Sequence, residues 1–69
     1  MLIKNQAGLD YRTIGYCMDK IMESNTGNTM YYGKVEIGKV EINNRIITII
    51  IRYLKKYTEW TFMEVENNE

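Results

Sequence analysis

Residues 33–42 read GKVEIGKVEI, one pentapeptide written twice in tandem, and they run directly into NN and then RIITIIIRYLK. Val, Ile, Thr and Tyr dominate this stretch, and branching at Cβ fits them to a pleated, half-buried surface better than to a helix. Two adjacent asparagines between such runs form a tight two-residue turn. Strands are therefore predicted over about 30–42 and 45–55, with a second turn at KYTE and a third strand, WTFMEVE, over about 60–66. Together they form a three-stranded antiparallel meander.

The tandem repeat sets its own problem. Side chains alternate across a strand with period two, whereas the apolar residues of GKVEIGKVEI recur with period five. If Asn43 and Asn44 are the turn, Val40 faces Ile47 and uninterrupted pairing sets Gly38 against Ile49, with Val35 and Ile37 on the face away from Val40 and Ile42. One extra residue at Gly38-Lys39, a bulge of the kind glycine favours, would instead bring Val35, Ile37, Val40, Ile42, Ile47, Ile49, Ile51 and Tyr53 to one side. A hairpin turn at Gly38-Lys39 would leave too short a strand before Asn43. The bulge is the expectation, because register is strongly specified where one face is buried. Lys34, Glu36 and Glu41 would then share the outer face with Ile46, Ile50 and Leu54. The third strand carries Trp60 and Phe62 on one parity and Met63 and Val65 on the other, so either phase leaves apolar residues outside the core.

Ahead of the strands, Tyr11, Ile14, Cys17, Met18, Ile21 and Met22 recur at spacings of three and four, with Arg12, Asp19, Lys20 and Glu23 on the opposite side. This pattern predicts an amphipathic helix over about 10–24, with Asp10 capping its first turn and Gly27 available as a left-handed stop. Gly15 inside the helix is unfavourable unless the backbone packs closely there. Leu2 and Ile3 suit a short N-terminal edge strand. The expected fold is α+β: one N-terminal helix on a three-stranded antiparallel meander (αβββ), a single small domain over 1–69.

A 69-residue domain buries only about 60% of the surface its unfolded chain exposes, so it gains from an added staple. Cys17 is the single cysteine and histidine is absent, which excludes an intrachain disulfide and a Cys/His zinc site. Covering by a partner or by a second copy remains, and a homodimer is expected. Nine Lys and Arg balance nine Asp and Glu, giving no overall basic character. MLIKNQAG lacks the apolar run of a signal peptide, and with one thiol a cytoplasmic location is expected. Abundant Ile, Asn, Lys and Tyr beside absent Pro and His suit an AT-rich genome, either a phage or other mobile element or a low-GC chromosome. A virus-encoded chain would act in the host cytoplasm.

No catalytic constellation is present in the sequence. Ser24 and Cys17 have no imidazole to activate them, and Cys17 falls on the apolar side of the helix. GK at 33–34 and 38–39 opens strand sequence rather than the Lys-Ser/Thr and helix of a phosphate-binding loop. Neither cofactor nor metal ligand set is expected. The sequence fits a non-catalytic protein-interaction module, of which an inhibitor of a host enzyme or defence complex, of the anti-CRISPR or anti-restriction kind, is the most economical form. Its candidate contacts are Ile46, Ile50, Arg52, Leu54, Lys55, Lys56, Tyr57 and Trp60, with Glu64 and Glu66 as acidic contacts. The alternative is a single-stranded nucleic-acid module over 52–60, where Arg52, Tyr53, Lys55, Lys56, Tyr57 and Trp60 interleave cations with stacking rings, extended by Tyr31, Tyr32 and Lys34.

Overall fold

A computed structural model describes residues 1–24 and 33–64. Five elements follow in order: β1 (Leu2–Asn5), α1 (Tyr11–Ser24), β2 (Val35–Ile42), β3 (Arg45–Tyr53) and β4 (Thr58–Glu64). The strands form one sheet in the order β1-β4-β3-β2, and α1 lies on one of its faces. This is the expected α+β layering, with the N-terminal edge strand in place. β1 runs parallel to β4, whereas β2, β3 and β4 form the antiparallel meander. The chain thus leaves β1 through the helix, reaches the far edge at β2, and returns to set β4 beside β1.

The entry to the helix is fixed by short polar side chains. Asn5 donates from Nδ2 to the Leu9 carbonyl at 2.6 Å and accepts from the Leu9 N–H at 2.9 Å, closing the turn in which Gly8 adopts a φ of 70°. Asp10 then accepts from the Thr13 N–H at 2.9 Å, as a helix cap should. Leu9, just before the cap, is buried in the same cluster as Ile14, so apolar contact braces the first turn.

Ile14, Cys17 and Ile21 form the buried stripe of α1, with Met18 packed at its side. Tyr11 and Met22, expected in that stripe, are exposed, because they lie on its flanks and a single sheet face covers only the centre. Gly15 is exposed, and no atom lies within 4 Å of where its Cβ would be, so close packing does not account for it. From the sheet, Ile47, Ile49, Ile51, Trp60 and Phe62 complete the core, and the Trp60 and Phe62 rings stack at 6.2 Å with planes 15° apart. Full burial of each such side chain stabilises by about 1.5–3 kcal/mol.

The hairpin between β2 and β3 turns on Asn43 and Asn44, with φ of 49° and 67°, the doubly positive values that a type I′ turn requires. Pairing beyond it is uninterrupted: Val40 faces Ile47, Gly38 faces Ile49, Ile37 faces Ile50 and Val35 faces Arg52. The expected bulge at Gly38-Lys39 is absent. Gly38 keeps the core parity of Val40 and Ile42, and a Cβ there would collide with Ile21 Cδ1. A missing side chain, rather than an extra residue, resolves the conflict: the helix approaches where β2 has no side chain to bury. Val35 and Ile37 consequently point away from the core, and Glu36, expected outside, lies on the helix side at the rim, 3.5 Å from Lys34 Nζ.

A second correction concerns β4. It begins at Thr58 rather than 60, because the loop 54–57 closes on itself with the Leu54 N–H donating to the Tyr57 carbonyl at 3.0 Å. Glu59 is therefore a strand residue, not a turn residue. The Gly27 stop, Tyr31, Tyr32, Val65 and Glu66 lie outside the described residues. No described helix is long and apolar enough to cross a membrane.

Candidate functional site: the open face of the sheet

The face opposite α1 is built by strand parity. Unbroken register aligns Glu41 with Ile46, Lys39 with Thr48 and Met63, Ile37 with Ile50 and Thr61, and Val35 with Arg52 and Glu59. β1 completes the lower rows, Lys4 beside Thr61 and Leu2 beside Glu59. Ile37 is 68% exposed, Ile46 54% and Val35 52%, while Ile50 is half-buried by its neighbours. A branched aliphatic patch thus crosses β2 and β3. Scattered surface hydrophobes are ordinary, but contiguous ones mark contact surfaces.

One end of this face carries a charge bridge. Glu59 is 4% exposed, the one buried charged residue among those described. Its carboxylate lies 3.4 Å from Lys4 Nζ and 3.5 Å from Arg52 Nη1, joining β1 to β3 across β4. Both cationic side chains are about half exposed while the acid between them is buried. Such a carboxylate needs its partners, since an unpaired buried charge is strongly unfavourable.

The candidate contacts separate clearly. Ile50 sits opposite Ile37 in the aliphatic patch and Arg52 in the next row at its charged end, whereas Ile46 lies opposite Glu41, beyond the row of Lys39 and Thr48. Leu54 is half-buried where the chain leaves β3, and Lys55, Lys56 and Tyr57 are exposed on the loop beyond. Trp60 is on the opposite face, 5% exposed in the core. Glu64 is held at the rim on the helix side by Arg45, Nη2 to Oε1 at 2.7 Å and Nε to Oε2 at 3.0 Å, with Nη2 also donating to the Ala7 carbonyl at 3.2 Å. Arg45 pulls the Glu64 carboxyl below its ordinary value.

Within residues 52–60 the cations and rings do not share one surface. Trp60 is in the core, Tyr53 lies on the helix side with its hydroxyl bonded to Glu36, and Arg52 is engaged by Glu59. Burial raises the Tyr53 pKa further than the Glu36 bond does. Only Tyr57 remains beside Lys55 and Lys56 as an exposed ring within 52–60. Cys17 is fully buried, and burial pushes its thiol pKa up, away from the reactive thiolate.

Val35 and Ile37 were missed as surface residues. The signal was Gly38 itself, which shares the parity of Val40 and Ile42 and faces Ile49, and a glycine under a helix counts as a core position. No protein-family model, curated protein or solved structure matches the chain. What the surface offers is exposed apolar area bordered by opposite charges.

Proposed function

We propose that the chain is a non-catalytic protein-interaction module whose open sheet face, centred on Ile37, Ile46 and Ile50, seats against another protein. The observation that carries this reading is the outward parity of Val35 and Ile37, which sets them beside Ile50 on the open face, with Ile46 exposed on the same face beyond Lys39 and Thr48. A partner gains by removing that area from water, at about 25 cal/mol per Å² before the cost of association. Lys39, Glu41 and Arg52 border the patch and supply the polar rim that orients a partner. An inhibitor of a host enzyme or defence complex, of the anti-CRISPR or anti-restriction kind, needs no more than such a surface, since covering a working site is enough to block it. This activity would be exerted in the cytoplasm of the cell that contains the target.

A photo-crosslinking residue at position 37, compared with one at Lys20 on the outer face of α1, tests the reading in producing cells. The expected result is an adduct specific to position 37, lost when Ile46→Lys is added, whose partner loses activity when titrated with the purified protein. Identical adducts from both positions, or none from position 37, would overturn it.

A further inference from the structure

We infer that the free edge of β2 pairs antiparallel with β2 of a second copy, about a two-fold axis at Val40, to make one continuous sheet across a symmetric dimer. The inference concerns the edge of the sheet and is independent of what covers its open face. β2 is an outer strand of eight residues, without proline and without a bulge. Proteins usually blunt edges of this length, because unpaired N–H and C=O groups are a template for another strand.

The hairpin fixes which groups are free. A two-residue turn makes Ile42 and Arg45 a hydrogen-bonded pair, and alternation along an antiparallel ladder extends the set to Val40, Gly38 and Glu36. The Tyr53 N–H, bonded to the Lys34 carbonyl at 3.0 Å, continues the series. Val35, Ile37, Lys39 and Glu41 therefore direct their N–H and C=O groups outward.

Symmetry and charge select the register. A two-fold axis perpendicular to a sheet keeps each residue on its own face, so outward-bonding residues pair only with one another. Axes at Glu36, Lys39 or Glu41 set like charges face to face. Axes at Ile37 or Gly38 set Lys39 against an aliphatic residue. The axis at Val40 pairs Lys39 with Glu41 of the second copy twice, in hydrogen-bonded positions on the open face, where opposite charges attract and like charges repel. It also sets Gly38, which has no side chain, opposite Ile42 of the other copy. On the helix side an open cleft of about 390 Å³ lies between Arg12, Thr13 and Tyr16 of α1 and the segment Glu41 to Asn43, and no other described residue lines it.

Charge exchange tests the register. By sedimentation equilibrium at low salt, Lys39→Glu alone and Glu41→Lys alone should each raise the dimer Kd by about tenfold or more. The double variant Lys39→Glu with Glu41→Lys should return it to within about threefold of the wild type, and a mixture of the two single variants should form the heterodimer. Both positions are exposed, so circular dichroism and melting midpoints of the monomers should be unchanged. Lys39→Pro removes only an outward N–H and should give a folded monomer. A wild-type chain that stays monomeric up to about millimolar concentration, or a dimer indifferent to Lys39→Glu, would overturn the inference. Ile46→Lys should leave this dimer, and any adduct of position 37 with the second copy, intact while abolishing the adduct of position 37 with a different protein, so the two readings fail separately.

Discussion

Gly38 sits under Ile21, and the contact between strand and helix depends on the hydrogen that replaces a side chain there. Gly38→Ala gains about 0.5–1 kcal/mol of backbone preference and loses about 0.5–1.5 kcal/mol by driving Ile21 off its rotamer. Ile21→Val removes the colliding Cδ1, so the two substitutions together should be more stable than the sum of their separate effects by about 0.5–1.5 kcal/mol. Urea denaturation of the four proteins measures this, and additivity within about 0.3 kcal/mol would contradict it. Gly15 has no such neighbour, and Gly15→Ala on the exposed side of α1 should stabilise by about 1 kcal/mol in the same assay. The two glycines were equally visible in the sequence. Their roles were not, since whether a Cβ has room depends on a neighbour distant along the chain.

Among the elements, the hairpin shows where local chemistry suffices. Asn43 and Asn44 take positive φ without tertiary help, and both flanking strands were legible from their branched residues. Asn44→Val should lower stability by about 1–3 kcal/mol, because a branched residue resists φ of 67°, whereas Asn44→Gly should preserve or raise it; thermal melts separate the two. The helix was legible for a similar reason, with a cap at Asp10 and a three-four apolar rhythm. Strand phase was not. The bulge is expected from requiring Val35 and Ile37 to share the face of Val40 and Ile42, which gives Gly38 no place in the core, and the start of β4 is displaced because a four-residue loop and a turn two residues later have similar composition. Of the candidate contacts, Ile46 and Ile50 could be read from alternation within β3, whereas Trp60 could not, its parity being settled only by pairing with Ile51.

At the scale of the whole molecule, stability should depend on acid. Arg45 holds the Glu64 carboxyl below its ordinary value of 4.5, and Thr13 holds that of Asp10 below 3.8. A carboxyl depressed in the folded state contributes stability that is complete above its unfolded value and is lost as pH falls through the folded one. Melting midpoints should therefore fall as pH drops from about 4.5 downward, and Glu64→Gln should flatten the upper part of that decline. If the edge of β2 joins two copies, the wild-type midpoint should also climb with protein concentration, and that of Lys39→Glu should begin to climb only at about tenfold higher concentration or more. Neither proposed surface is fully legible in the sequence, because both depend on a register in which five-residue periodicity is not corrected.

That uncorrected register gives the tandem repeat an unexpected meaning. In its first copy the Val and Ile of KVEI look outward, at Val35 and Ile37; in its second the same letters look inward, at Val40 and Ile42. A unit of odd length, copied in line, is a phase inverter. One odd-length repeat is enough to turn a strand with a single greasy side into one that is anchored at one end and exposes its aliphatic side chains at the other. A repeat of four or six residues would have kept both halves on the same side.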